Sequence, residues 1–374
     1  MARLRATFFA LSTPPVTGRS GCRSFASGVR RVLRATRIIA TVALALAAGQ
    51  GHAGEAPAFE NPVPATVSPE ARAFIAGLGT PSHDPLPDAH DLEGWRRLRE
   101  DFERRYAGAM AEVLRRYEPD IRPTTLGGVP VLDIRPRGYA SDDRVLVFVH
   151  GGGYVVGSAA SSLTAAVPIA ADAGLRVISV DYTLAPAASY DAMVNQVIAV
   201  IEALVHDGHR LEHMGVLGVS AGGGLAAGSL LRMHGHGWKL PAALVLWSPV
   251  TDLALAGESM VTLGRYEPAF DVAQIRTMLA MVAPPGKLAD PVVSPVHGDF
   301  TAGYPPTLIQ GGTREALLSG FVRLYQAIDT QGGTARLDLY EGMVHAFQEI
   351  RPYLPESALA RKKSAAFLRQ YLDR

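Results

Sequence analysis

The sequence predicts an α/β fold in which helices cover both faces of a mostly parallel β-sheet. From residue 129 onward, short apolar runs alternate with longer segments of helical periodicity. Strands that are buried on both faces read as continuous apolar runs, and their alternation with helices is typical of parallel sheets. The chain can also bury an extensive core, because 48% of its 374 residues are hydrophobic and 19% are charged.

Seven apolar runs and five amphipathic segments define this layered region. The predicted strands are 129–138, 144–150, 175–185, 214–220, 241–249, 306–312 and 335–342. The predicted helices are 161–174, 190–208, 221–235, 314–328 and 356–372. Segment 253–300 interrupts the alternation and is too long for an ordinary connection. It is therefore predicted to be an insertion, with a helix near 270–282.

Upstream of the alternating region, residues 93–117 predict an amphipathic helix. Their apolar residues recur at spacings of three and four, beginning with Trp95, Leu98 and Phe102, which places them on one helical face. The preceding stretch is rich in Pro, Asp and His and contains one short helical segment near 68–78. This part of the chain is therefore expected to contribute helices.

Residues 1–53 differ from the rest and predict a signal peptide. They carry eight arginines and no Asp, Glu or Lys, with the apolar run 38–48 and small residues at Gly51 and Ala53. A basic region, a short apolar region and a small-x-small site are the parts of a secretory signal. We therefore expect a mature protein that starts near Gly54 and is periplasmic or secreted. A retained amphipathic segment or membrane anchor is the alternative, and the true start codon could lie further downstream.

The charge and cysteine content exclude several classes of protein. Removing the leader takes away eight positive charges and no negative ones, which moves the formal net charge from +1 to −7. An acidic protein lacks the basic surface that nucleic-acid binding needs. The single cysteine, Cys22, lies in the leader, and the histidines show no metal-binding spacing. We therefore expect no nucleic-acid partner, metal, cofactor or disulfide, and no membrane span after processing.

A nucleophile is predicted at Ser220, the centre of the G-x-S-x-G sequence from Gly218 to Gly222. The motif lies between a predicted strand and a predicted helix, where such a turn leaves the serine exposed above the sheet. The alternative is a tight strand–helix turn without chemistry. A serine hydroxyl also needs a base, and His345 is the candidate because it alone among the histidines follows the final strand. An ordinary histidine of a surface loop is the alternative.

The acid that orients the base is expected between Ser220 and His345 in the chain, at the end of a strand. Glu315 fits because it comes directly after the strand 306–312. Its other interpretation is an ordinary glutamate in the first turn of a helix, favoured by the helix dipole. Asp290 and Asp299 are rivals by chain order, but neither follows a strand.

The sequence His150-Gly151-Gly152-Gly153 ends a buried strand and predicts an oxyanion loop. Attack on an ester carbonyl creates a negative oxygen, which needs backbone N–H groups that already point at it. We expect the N–H groups of Gly151 and Gly152, with that of Ala221, to supply them. A flexible strand-end loop or a phosphate-binding loop is the alternative, although no lysine follows as a phosphate loop would need.

Together these motifs closely resemble the hormone-sensitive-lipase-like family of α/β hydrolases, bacterial esterases with an H-G-G-G motif. The resemblance covers roughly residues 129–350. It rests on "VFVHGGGYVVG", "VDYTLAP", "GVSAGGGLA", "WSPVTDL", "DPVVSPVHGD", "PPTLIQGGTREALLS" and "YEGMVHAF". The resemblance implies an α/β-hydrolase catalytic domain at 126–374 and a helical cap formed by 54–125 and the insertion at about 255–290. It also implies hydrolysis of short- to medium-chain carboxylic esters without a cofactor, and frequent homodimers.

Three positions depart from the family pattern: Val219 replaces an Asp before the nucleophile, Thr183 replaces an Arg, and Gly320 replaces an Asp. None of the three belongs to the predicted catalytic residues. An amidase or deacetylase with the same residues is the rival among enzymes. A non-catalytic binding protein is a rival of another class, since plant gibberellin receptors resemble this family, but they lack the histidine that His345 provides here.

Overall fold

The computed structural model describes residues 61–81, 84–140, 142–301 and 303–373. Their centre is one eight-stranded sheet. The strands are β1 (Asp120–Leu126), β2 (Val129–Arg135), β3 (Val145–Val149), β4 (Arg176–Val180), β5 (Met214–Val219), β6 (Ala243–Trp247), β7 (Thr307–Gly312) and β8 (Ala335–Tyr340). Their spatial order is β1-β2-β4-β3-β5-β6-β7-β8. The pairs β1–β2 and β2–β4 are antiparallel and all other pairs are parallel, which confirms the predicted fold class.

Helices pack on both faces of this sheet, as predicted. The helices are α1 (Pro69–Ala76), α2 (Leu92–Tyr117), α3 (Leu163–Ala173), α4 (Tyr190–His206), α5 (Ala221–Gly235), α6 (Ser259–Thr262), α7 (Val272–Val282), α8 (Leu318–Thr330), α9 (Phe347–Ile350) and α10 (Pro355–Leu372). Val147 of β3 belongs to the core with α4, α5 and α8, whereas its neighbours Leu146 and Phe148 belong to the core with α3 and α10. Alternate residues of one buried strand thus fill opposite layers.

Strand β1 corrects the sequence analysis, which placed all of residues 54–125 among the N-terminal helices. It is a mostly exposed, polar strand that forms a hairpin with β2. Polar edge strands lack the apolar run that identifies a buried one. The signal that could have found it is the pair Gly127-Gly128, whose φ angles of 57° and 80° suit a two-residue hairpin turn.

The insertion and the N-terminal segment both contribute helices, as the sequence predicts. The insertion carries α6 and α7, and α7 occupies most of the segment 270–282 that was expected to be helical. The long helix α2 matches the amphipathic segment 93–117 and buries Trp95 almost completely. Among the described residues, none of the helices has the length and apolar character needed to cross a bilayer. The predicted signal peptide, 1–53, lies outside the described residues.

Candidate active site

Ser220 occupies a sharp turn between β5 and α5, as its motif predicts. Its backbone has φ 54° and ψ −121°, a conformation that costs free energy in a non-glycine residue and is typical of strained functional turns. Several hydrogen bonds hold it there. The N–H of Ser220 donates to the Trp247 carbonyl at 2.8 Å, and the carbonyl of Ser220 accepts from Val250 at 2.9 Å and from Gly223 at 3.0 Å.

Small residues flank Ser220 because neighbouring backbone leaves no space for side chains. A Cβ atom at Gly218 would overlap the carbonyl oxygen of Gly222. A Cβ atom at Gly222 would overlap the carbonyl oxygens of Val149 and His150, at the end of β3. The G-x-S-x-G spacing therefore allows the start of α5 to pack directly against the strand that leads into the glycine-rich loop.

The structure brings the three predicted catalytic side chains into one hydrogen-bonded series. His345 lies in the segment after β8, with Nε2 2.8 Å from Ser220 Oγ and Nδ1 2.9 Å from Glu315 Oε2. A carboxylate can only accept, so the tautomer with its proton on Nδ1 satisfies both contacts. In that tautomer Nε2 is free to accept the proton of Ser220. The side chains of all three residues are nearly or fully buried.

Glu315 lies in a buried turn before α8 rather than in the helix. The helix begins at Leu318, three residues after Glu315. Glu315 therefore lies outside the first turn, and its alternative interpretation as a first-turn helix glutamate is wrong. Glu315 Oε1 accepts hydrogen bonds from the Gly312 N–H at 2.5 Å and the Ser248 hydroxyl at 2.7 Å. The rivals lie elsewhere: Asp290 and Asp299 accept hydrogen bonds from nearby backbone N–H groups.

Ser248 is a site residue that the sequence analysis missed. Its hydroxyl donates to Glu315 and accepts the N–H of Ala346 at 3.0 Å, so it joins the acid to the residue after the base. It also has a positive φ of 48°. The only sequence signal was its place in the segment "WSPVTDL", which contributes to the family resemblance but carries no chemistry by itself.

His345 has a raised pKa because charge outweighs burial. Burial alone would lower the pKa of His345, but the hydrogen bond and the charge of Glu315 raise it, and the carboxylates of Glu267 and Glu349 raise it further. Glu267 and Glu349 are themselves buried, and burial raises the pKa of each to about 7. The base therefore lies among three carboxyl groups, only one of which was predicted.

The glycine-rich loop passes directly beside Ser220. A Cβ atom at Gly151 would lie 3.1 Å from Ser220 Cβ, and Gly152 has a φ of 108° that other residues rarely adopt. Within the described part of the chain, the backbone N–H groups of Gly151, Gly152 and Ala221 donate to no other protein group. These are the three N–H groups that the sequence analysis assigned to the oxyanion.

His150 supports the glycine-rich loop through its ring and its backbone carbonyl. Its ring stacks on Tyr182 with centroids 4.2 Å apart, and its Nδ1 donates to the Gly151 carbonyl at 2.8 Å. The Tyr182 hydroxyl donates to the His150 carbonyl at 3.0 Å. Burial lowers the pKa of His150, so the ring is neutral and acts as a structural support.

Residues of the insertion cover the site. The ring of Phe270 meets the ring of His345 edge-on, with centroids 5.2 Å apart. A Cβ atom at Gly153 would lie 2.8 Å from Met278 Sδ, so α7 packs directly on the glycine-rich loop. The family resemblance implies a cap here, but neither residue follows from the sequence, because helical periodicity does not show which part of the molecule a helix faces.

Comparisons with known proteins agree with this architecture. A family model described as the α/β hydrolase fold matches residues 146–349. An acetyl-hydrolase of Streptomyces hygroscopicus is 33% identical over 251 residues, which cover 65% of this chain and 84% of the relative. An esterase of Acinetobacter venetianus is 31% identical over 251 residues, which cover 66% of this chain and 81% of the relative.

Solved structures show the same similarity. One esterase superposes with a TM-score of 0.78 at 27% identity, covering 85% of this chain and 98% of its own. An esterase from the bacterial hormone-sensitive lipase family has a TM-score of 0.66 at 31% identity, covering 72% of this chain and 98% of its own. With a family match over more than half of its length and relatives above 30% identity, this chain belongs to the α/β-hydrolase family.

Proposed function

We propose that this protein is a serine carboxylesterase in which Ser220 is the nucleophile, His345 the base and Glu315 the acid. The observation that carries the proposal is the series of contacts from Glu315 through His345 to Ser220, at 2.9 and 2.8 Å. Relatives named esterase and acetyl-hydrolase support the reaction class.

In the proposed mechanism His345 takes the proton of Ser220 as the serine oxygen attacks the ester carbonyl. Glu315 holds the ring and stabilises its positive charge. The N–H groups of Gly151, Gly152 and Ala221 stabilise the negative oxygen that forms on the carbonyl carbon. His345 then protonates the departing alcohol, and water repeats the sequence on the acyl-enzyme to release the acid.

We propose that short acyl groups are preferred, because Phe270 and Met278 lie against the catalytic histidine and the glycine-rich loop. The acetyl-hydrolase relatives agree with this preference. A panel of p-nitrophenyl esters from two to sixteen carbons tests it, and we expect kcat/KM to fall beyond about eight carbons. Higher kcat/KM on the sixteen-carbon ester than on the four-carbon ester would contradict it.

The nucleophile is tested by titration with an organophosphate and by Ser220→Ala. We expect one covalent adduct per chain, located on Ser220, and loss of ester hydrolysis in a variant that keeps its melting temperature. A folded Ser220→Ala variant with normal turnover would refute the assignment. Matched ester and amide substrates separate the esterase from the amidase alternative, and gel filtration with light scattering tests the expected homodimer.

A further inference from the structure

Glu267 is a buried carboxyl group that the proposed mechanism does not use. It follows a short 3₁₀ turn in the insertion, before α7, and its side chain has no solvent exposure. Its Oε1 accepts the N–H of Ala269 at 3.0 Å and its Oε2 accepts the N–H of Ala316 at 3.3 Å. The second contact places Glu267 next to the backbone of the proposed acid, because Ala316 directly follows Glu315 in the chain.

The insertion also holds the carbonyl group of Ala316, in the next peptide unit. The hydroxyl of Ser259, in α6, donates to the Ala316 carbonyl at 2.6 Å and accepts the N–H of Ser319 at 2.8 Å. Both polar groups of Ala316 thus bond to side chains of the insertion, one charged and one neutral. The turn that carries Glu315 is therefore fixed by residues that are distant in sequence.

Glu267 also acts on His345 through its charge. Burial raises the pKa of Glu267 to about 7, with protonated His345 opposing the shift and Glu315 reinforcing it. Burial lowers the pKa of Arg314, which precedes Glu315, and the charge of Glu267 opposes that shift. The carboxylate of Glu349, in α9, raises the pKa of His345. Burying a carboxylate is costly. Two backbone N–H groups and protonated His345 favour the charged form of Glu267 but only partly offset burial, because the pKa of Glu267 stays raised.

We propose that Glu267 is a positioning residue: it holds the Glu315 turn through Ala316, and as an anion it stabilises protonated His345. This inference rests on the roles proposed above for Ser220, His345 and Glu315. The insertion then has two roles: it covers the site, and it holds the catalytic residues in position. The anion stabilises the cation that forms on His345 each time Ser220 gives up its proton.

Three variants of the full chain test the inference. Glu267→Gln keeps the size of the side chain but removes the charge and one of its two acceptors. Ser259→Ala removes the two neutral contacts of that hydroxyl, to the Ala316 carbonyl and to the Ser319 N–H. Glu258→Gln is the matched control, because Glu258 is an exposed carboxylate of the same insertion. For each variant, kcat, KM and the pH dependence of kcat/KM are measured on a short p-nitrophenyl ester, together with the melting temperature.

We expect Glu267→Gln to lower kcat on the order of tenfold with little change in KM, because small displacements of a catalytic group are costly. Loss of the negative charge should also lower the pKa of His345 and move the acid limb of kcat/KM to lower pH. Ser259→Ala should lower kcat and leave the acid limb in place, and Glu258→Gln should match the wild type in both.

An acid limb and a kcat that stay at wild-type values in folded Glu267→Gln would overturn the inference. If that variant does not fold, Glu267→Asp decides. Its shorter side chain keeps the charge but cannot reach Ala269 and Ala316 together, so kcat should fall, and wild-type kcat would overturn the inference. Inactive wild-type protein would instead refute the esterase proposal, whereas active wild type with unaffected variants refutes only the role of Glu267.

Discussion

At the scale of single residues, Glu315 carries the sharpest expectation. Its Oε2 contacts His345 Nδ1 at 2.9 Å and selects the tautomer whose free nitrogen faces Ser220. Glu315→Gln keeps the size but can stabilise the other tautomer, and in a serine protease the analogous change costs about 10⁴ in kcat. We expect a loss of at least about 10²-fold in kcat with a much smaller change in KM, measured by steady-state kinetics.

Asp290→Asn and Asp299→Asn are the controls for that variant. Both side chains accept hydrogen bonds from backbone N–H groups in their own turns. We expect each of these two variants to keep a kcat close to that of the wild type. If one of them abolishes turnover while Glu315→Gln does not, the acid has been assigned wrongly.

The raised pKa of His345 predicts how activity depends on pH. The base must be neutral, and Glu315, Glu267 and Glu349 favour its protonated form. Activity should therefore be lost as pH falls through a value above the ordinary histidine pKa of about 6.5. The measurement is kcat/KM from pH 5 to 9 in buffers of constant ionic strength. A flat profile from pH 5 to 8 would argue against a histidine base.

At the scale of secondary-structure elements, helix α2 supports the glycine-rich loop. Arg99 donates from Nε to the Val155 carbonyl at 2.9 Å and from Nη2 to the Ala185 carbonyl at 2.7 Å. Glu103, one turn later, accepts the Ser158 hydroxyl at 2.9 Å. These contacts connect a helix of the N-terminal segment to the chain that follows the proposed oxyanion N–H groups.

Arg99→Ala should therefore reduce activity indirectly, through the position of the glycine-rich loop. The variant frees the carbonyl of Val155, just after the glycine-rich loop, and that of Ala185, in the connection after β4. We expect kcat to fall by about tenfold, because preorganised N–H donors lose their effect when they are misplaced. The matched control is Arg97→Ala. Arg97 is exposed on the same helix and, among the described residues, pairs only with Glu93, a contact of little energetic value. Equal kcat values for the two variants would contradict the role of α2.

The sequence predicts those strands, helices and site residues whose pattern is contained in one short stretch of the chain. Strands buried on both faces are continuous apolar runs, and parallel strands bring their carboxyl ends to one edge, so Ser220 and Glu315 could be assigned from strand ends. Ser248 and Glu267 could not, because their roles depend on which distant backbone groups they meet. Strand β1 was missed because edge pairing requires only backbone hydrogen bonds and leaves no apolar pattern.

At the scale of the whole molecule, residues 1–53 determine the sign of the net charge. Their arginines account for the difference between a formal net charge of +1 for the full chain and −7 after removal of residues 1–53. We propose that the mature protein is exported, and mass spectrometry of protein from the native host should find its N-terminus near Gly54. Intact residues 1–53 in the cytoplasmic fraction would contradict export.

The β1 end of the sheet is poorly suited to pair with a further strand. At this end, β1 is exposed and polar, contains an Arg122–Asp120 ion pair and carries Pro123, which has no N–H to donate. Charged residues and proline on an edge strand discourage pairing with another chain. An array of sheets joined edge to edge needs two receptive edges in every copy. Association through β8 would therefore stop at two copies instead of continuing into a fibre.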